Sequence, residues 1–383
     1  MHSFLTLQIV VLGLSFSTFL SAAQAVAASS EISPHTIASR NHRRHHARKH
    51  RRGKQTSCYV SNKKKTKTSY KVITKQLNGH VSVNSTSSET HDSSSPDTLM
   101  GLVPGQLTAN NVYIGFLPDE GDAGGSRTTM AQINEAVGTK SAAYGWYAQA
   151  HSGTPFDGSQ LLAVMEDVKA CNCVFQPAVM PIGGWEGLTE SDNSQAIAIA
   201  KVMKKFTDQG IPVWLRFAHE MNYYQTDGTY VGNANDFKAG WAAVAAACKK
   251  IAPEVKMWWT PNVAADSSYA SYAPDDMSTV DLVGIDYYPK SISTGTEFVD
   301  TMKGFHDKYA VDGRMFAIGE IGLGYAGSKA DRISWLKQII AAKDQLPRFI
   351  NVSWFNFQKG YDFRIVDVSD GGLLGLLKGL LSL

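Results

Sequence analysis

Apolar positions recur along this chain in two rhythms. Eight short runs are almost continuously apolar: NVYIGFLP (111–118), SAAYGWYA (141–148), VFQPAVMP (174–181), PVWLRFAHE (212–220), VKMWWTPN (255–262), VDLVGIDYYP (280–289), MFAIGEIG (315–322) and FINVSWFNF (349–357). Between them lie GSQLLAVMEDVKA (158–170), SQAIAIAKVMKKFTDQG (194–210), ANDFKAGWAAVAAACKKIA (234–252), TEFVDTMKGFHDKYA (296–310) and ADRISWLKQIIAAK (330–343), whose apolar residues return every three or four positions. Continuous runs are expected of strands buried on both faces, and the three-four spacing of helices that lay one face on a sheet. Eight such units predict an α/β fold, the closed (β/α)₈ TIM barrel. An open doubly wound sheet is the alternative, but no Gly-rich phosphate loop follows any strand. ADSSYASYAPDDM, between the fifth and sixth runs, lacks periodicity and reads as loop. The closing GGLLGLLKGLLSL sets Leu373, Leu376, Leu377 and Leu380 on one stripe and predicts the eighth barrel helix, with a lipid-anchor signal as the alternative.

Upstream of these units the pattern changes. Residues 1–28 join an apolar core, FLTLQIVVLGLSFSTFL, to small residues, SAAQAVAA, the layout of a signal peptide; the core is short for a bilayer span. A secreted, extracellular protein without stable membrane insertion is expected. Residues 29–104 form a basic, then Ser/Thr-rich leader expected to be disordered, and the folded domain occupies 105–383, entered near Leu102.

Charge sharpens this division. The formal net charge of +3 conceals 14 Lys and Arg with no acid between residues 36 and 76; the rest of the chain has 23 basic against 34 acidic residues, a net −11. The leader reads as a propeptide cut at Arg43-Arg44 or Arg51-Arg52, or as a solvated tail, in preference to a nucleic-acid arm. Of two N-glycosylation acceptors, Asn84-Ser85-Thr86 lies in the leader, whereas Asn351-Val352-Ser353 lies inside a predicted strand, out of reach. Cys58, Cys171, Cys173 and Cys248 allow three full pairings; a disulfide from the 171/173 pair to Cys248 is expected, and no zinc site.

The chemistry is expected at the C-terminal ends of the strands, where barrels converge their side chains. Glu220 ends the fourth run and Glu320 the seventh. Two carboxylates meeting over a barrel mouth are what glycoside hydrolysis requires, about 5–5.5 Å apart for retention and about 6.5–9.5 Å for inversion. Gly319 and Gly322 clear space around Glu320. Period-two alternation places Arg216 on the side of Glu220, to orient it or to pair with another acid such as Asp286. Aromatic residues crowd the same strand ends, among them Trp146, Tyr147, Trp185, Tyr223, Tyr224, Trp258, Trp259, Tyr287, Tyr288, Trp354 and Phe357, and flat rings suit the C–H faces of pyranoses.

At this point the residues become specific. RFAHEMN (216–222) resembles the acid/base motif of glycoside hydrolase family 26, whose best-known members are secreted endo-β-1,4-mannanases with a (β/α)₈ barrel. Most barrel glycosidases of the same clan carry Asn before that glutamate; His219 stands there, as in family 26. The resemblance runs from about Asn111 to Asp367 through IGFLPDEG, YGWYAQ, GIDYYP, IGEIG and SWFNF. It implies Glu220 as acid/base, Glu320 as nucleophile, His219 at the −1 subsite, Tyr287 near the nucleophile and Trp354 as a sugar platform. Asn222, Arg216, Trp146 and Trp259 complete the candidate substrate-binding set, with no metal or cofactor. The family continues HEMN with Gly and Trp, where this chain has Tyr223 and Tyr224. The expected reaction is retaining hydrolysis of a β-linked polysaccharide, first β-1,4-mannan. β-1,3-Xylan and mixed-linkage glucan are the substrate alternatives, and a noncatalytic glycan-binding wall protein is the alternative of another class.

Overall fold

The computed structural model describes residues 99–119, 128–325 and 327–382. The described residues belong to one compact unit. The signal peptide, the basic leader, Cys58 and the Asn84 acceptor lie outside the described residues.

The eight apolar runs become eight parallel strands: β1 (Val112–Pro118), β2 (Ala143–His151), β3 (Val174–Ile182), β4 (Trp214–Phe217), β5 (Lys256–Trp259), β6 (Leu282–Val283), β7 (Met315–Ile321) and β8 (Phe349–Asn356). Each pairs with the next, and β1 pairs with β8 from Tyr113↔Asn351 to Pro118↔Asn356, closing the barrel. A two-residue strand, Thr108–Ala109, runs antiparallel to β1. Helices lie between the strands: α1 (Met130–Val137), α2 (Ser159–Leu162), α3 (Met165–Cys171), α4 (Ser194–Thr207), α5 (Met221–Asp227), α6 (Ala234–Ile251), α7 (Asp266–Tyr272), α8 (Glu297–Tyr309), α9 (Lys329–Ala341) and, after β8, α10 (Gly371–Leu381). Capping boxes start three of them: Thr129 with Gln132, Asn233 with Asp236, and Ser328 with Asp331.

Why the strands read as continuous apolar runs is now visible. Their outward residues pack on helices, as when Phe175 stacks on Phe206 of α4 at 4.5 Å and Trp259 meets Phe305 and Tyr309 of α8. Their inward residues fill the barrel in layers. Trp214 and Trp258, edge to face at 5.6 Å, lie near the bottom with Leu102, Ala143 and Leu282. Higher up, Gln176 donates to Asn351, and Ser353 donates to Gln176, so the interior polar groups satisfy one another. Asn351 is thus fully buried and unavailable to glycosylation.

Four expectations are corrected here. Leu99–Gly101 forms a turn whose Met100 carbonyl accepts from the Trp214 indole, so the folded body starts before residue 105. Cys171 is bonded to Cys173, and Cys248 is a free, buried thiol that burial pushes up to about 12. ADSSYASYAPDDM contains α7, whose single buried residue, Tyr269, leaves no periodicity to read. In α10 the buried stripe is Leu373, Leu377 and Leu381, while Leu376 is 52% exposed. Among the described residues, no helix is long and apolar enough to cross a membrane.

Candidate active site

Arg216 rises from the floor of the barrel. Its guanidinium sits 5.6 Å from the Trp258 ring and is fully buried. Gly319 lets it pass, since a Cβ there would overlap the guanidinium. The Arg216 Nη1 donates to Glu320 Oε1 at 2.9 Å, and its Nη2 pairs closely with Asp286 Oδ2. The two readings of Arg216 are thereby decided: it serves Asp286 and Glu320, not Glu220.

Both glutamates reach the mouth by breaking strand periodicity. Glu320 follows the inward Gly319 and would point outward in a regular strand. Between Ile318 and Ile321, three residues of β7 span what two cover on β8, a bulge that turns Glu320 inward. Glu220 does not end β4, as the sequence suggested, because that strand stops at Phe217. Ala218 and Glu220 both adopt left-handed conformations, φ +50° each, on either side of His219. Such a geometry costs a non-glycine residue roughly 1–2 kcal/mol. It is held by Ala218 N–H donating to the Val179 carbonyl at 2.9 Å, Glu220 N–H to Thr260 at 2.7 Å, and the Tyr230 hydroxyl to the His219 carbonyl at 3.2 Å. Glu220 is the residue just before α5, and its side chain makes no capping bond to that helix.

One carboxylate oxygen from each of Glu220, Asp286 and Glu320 lies within 4.8 Å of the others. Their surroundings differ. Glu320 Oε2 accepts from the Tyr288 hydroxyl at 3.0 Å, its backbone N–H donates to Asp286 Oδ1 at 2.9 Å, and His219 Nε2 lies 3.5 Å from Oε1. Burial alone would push the Glu320 carboxyl up, but Arg216 holds it below its ordinary value. Glu220 Oε1 accepts from Asn262 Nδ2 at 2.7 Å, and its Oε2 makes no hydrogen bond. Burial, then the charge of Glu320, push Glu220 up to about 8. Burial lowers His219 to about 3, against the pull of Glu320, so it is a neutral imidazole. Asp286 is raised by burial despite Arg216. Three buried carboxylates have the oxygen-donor chemistry of a divalent-cation site, but Arg216 already engages two of them.

Of the other expected site residues, most fall elsewhere. Asn222 exchanges hydrogen bonds with the backbone of Asn262, donating at 2.8 Å and accepting at 2.8 Å, so it fixes the residue that holds Glu220. Tyr287 packs edge to face on Trp335 of α9 in the outer layer, and its neighbour Tyr288 takes the place beside the nucleophile. Trp354 is buried, its indole donating to the Phe363 carbonyl at 2.7 Å, and cannot serve as an open platform. Trp259 is buried against α8. Trp146 is half-buried, donates to the Gln160 carbonyl at 3.0 Å and meets Tyr144 in the helix-facing layer. Asn262 was not anticipated, and Tyr288, named only among the rim aromatics, is the tyrosine on the nucleophile. Both stand one or a few positions from a named residue, and only the parity of short strands separates them.

No protein-family model matches the chain, and no curated protein does. Among solved structures, the modular endo-β-1,4-mannanase of Cellulomonas fimi superimposes with a TM-score of 0.52 at 15% identity, covering 73% of each chain. The Bacillus subtilis mannanase man26 gives 0.51 at 17% identity over 73% of this chain and 87% of its own. A fungal β-1,4-galactanase gives 0.51 at 12% identity over 70% and 98%. At these identities the likeness establishes a shared barrel fold.

Proposed function

We propose that this protein is a retaining β-glycan hydrolase in which Glu320 is the nucleophile and Glu220 the acid/base. One observation supports this above the rest: two buried carboxylates over a barrel mouth with an oxygen of one within 4.8 Å of an oxygen of the other, one held below its ordinary ionisation range and the other pushed up to about 8. Carboxyl pairs this close suit retention, whereas an inverting pair leaves room for water at roughly 6.5–9.5 Å.

In the first step Glu320 attacks the anomeric carbon while Glu220 gives its proton to the departing glycosidic oxygen. Arg216 and Tyr288 keep the nucleophile ionised and aimed. Glu220, now a carboxylate, takes a proton from water, whose oxygen attacks the same carbon and frees Glu320. The neutral His219 is available to a sugar hydroxyl. The orphaned Glu220 Oε2 awaits the leaving oxygen.

The substrate we favour is β-1,4-mannan, supported by the HEMN motif and by the mannanases whose barrels superimpose. The signal-like residues 1–28 support secretion, which recovery of the mature chain from the medium of expressing cells would test. The test of activity is oligosaccharide release from β-1,4-mannan, galactomannan, β-1,4-galactan, β-1,3-xylan and mixed-linkage glucan, with Glu320→Ala as control. Release from mannan that vanishes in the control is the expected result. Release from another glycan alone would overturn the substrate, and release from none would overturn the enzyme.

A further inference from the structure

Beyond the carboxylates, the segment after β4 carries a buried aromatic cluster that the hydrolytic steps leave without a task. HEMN is followed by Tyr223 and Tyr224, the two positions at which the chain parts from the family it resembles. Tyr224 lies one helical turn after Glu220, its N–H donating to the Glu220 carbonyl at 2.9 Å. Only 2% of its surface is exposed.

Three other rings surround the Tyr224 ring. It meets His219 edge to face at 5.4 Å, Tyr223 at 5.4 Å and Tyr230 at 5.0 Å. Tyr230 N–H donates to the Tyr224 carbonyl at 2.9 Å, and the Tyr230 hydroxyl donates to the His219 carbonyl at 3.2 Å. Tyr224 is thus locked, through its backbone and its ring, against the turn whose left-handed Ala218 and Glu220 aim the acid/base. A leucine could fill such a space; a buried phenol also brings a hydroxyl that needs a partner.

The partner is the Glu220 carboxylate. Around it stand the charges of Glu320, Arg216 and Asp286 and the phenols of Tyr223, Tyr230, Tyr288 and Tyr325. Burial, then the charge of Glu220, hold the Tyr224 phenol well above its ordinary value, so it keeps its proton and donates throughout the range in which Glu220 titrates. A donor bonded to a carboxylate favours the ionised form, and this one opposes the burial that pushes Glu220 up.

We propose that Tyr224 is a positioning residue for the acid/base: its ring fixes the turn that presents Glu220, and its hydroxyl stabilises the carboxylate that Glu220 becomes as its proton moves to the leaving oxygen. This rests on the hydrolase reading. No atom passes through Tyr224, which donates the same hydrogen bond before and after the transfer. A glycan needs that transfer to depart, whereas a glycosyl fluoride does not.

The experiment is Tyr224→Phe, which keeps the ring and removes the hydroxyl, in the full-length protein with its glutamate carboxyls labelled by carbon-13; Glu220→Gln identifies the Glu220 signal. The Glu220 titration midpoint, about 8 in the wild type, should rise by about one pH unit in Tyr224→Phe, and the alkaline limb of kcat/KM on the cleaved glycan should rise with it. Below that limb kcat/KM should fall about tenfold on the glycan and by no more than about twofold on the matching β-glycosyl fluoride. Tyr230→Phe removes a hydroxyl of the same cluster that serves the His219 carbonyl, and should leave the midpoint in place. An unchanged midpoint in Tyr224→Phe, an equal shift in Tyr230→Phe, or equal losses on glycan and fluoride would each overturn the proposal and leave the hydrolase standing. A shifted midpoint in a protein that cleaves neither glycan nor fluoride would refute the hydrolase reading, and the catalytic use of the contact with it.

Discussion

One carboxylate oxygen of Glu220 lies within 4.8 Å of one of Glu320, yet the two residues are built in opposite ways. Glu320 is carried within a strand, turned inward by a bulge, and accepts from a guanidinium and a phenol, with the His219 imidazole 3.5 Å away. Glu220 is carried off the end of a strand on a turn with two left-handed residues and has only neutral partners, the Asn262 amide and the Tyr224 hydroxyl. The first environment rewards a charge and the second a proton. One side-chain type thus takes both roles of a double displacement, and the difference lies entirely in the supporting residues.

Removing either carboxylate should expose that asymmetry. Glu320→Ala should cost about 10⁴-fold or more in kcat, since no other group can form the intermediate. Glu220→Gln should cost about 10²–10⁴-fold on a glycan, and far less on a glycosyl fluoride, which leaves without protonation. Equal losses on the two leaving groups would contradict the acid assignment.

The next prediction concerns the charge between the two acids. Arg216→Met strands Asp286 and Glu320 without a counter-ion, and a chemical-denaturation curve should show a loss of about 3–5 kcal/mol. The acid limb of kcat/KM should rise in pH as well, because Glu320 loses the partner that holds its pKa down. In the wild type that limb should lie below 4.5 and the alkaline limb near 8, where Glu220 loses its proton.

Stability follows the same titration. The folded state keeps the Glu220 proton up to about 8, against an ordinary value of 4.5. Its contribution is complete below 4.5 and is lost as pH rises through 8. Glu220→Gln lacks this dependence, so its Tm should gain on the wild type between pH 5 and pH 9; a constant gap would mean that Glu220 is already ionised at pH 5. The smallest effect is expected at the turn itself. Ala218→Gly relieves a left-handed alanine and should stabilise by no more than about 1 kcal/mol, with activity lowered if the turn loosens.

The barrel was legible because doubly buried strands leave continuous apolar runs, and Glu220, Glu320 and His219 because those runs point to the mouth. What stayed hidden depends on breaks in periodicity. Alternation extended from Arg216 to Glu220 paired the wrong residues, since φ changes sign at Ala218. The family resemblance pointed to Tyr287, and β6, only two residues long, offers no parity by which Tyr288 could have been preferred. Trp354 and Trp259 look like platforms in a sequence, yet each belongs to the helix-facing layer, where large apolar rings are also needed. The disulfide within Cys171-Asn172-Cys173 depends on a left-handed Asn172 at the end of α3, which spacing alone does not reveal.

The most direct measurement is the configuration of the first product, followed by proton NMR as the protein cleaves whichever glycan of the panel it accepts. Two carboxylates this close, with Glu320 ionised and Glu220 protonated, predict that the β-anomer appears first and mutarotates later. Initial release of the α-anomer would mean a single displacement by water, and Glu320 would not be the nucleophile.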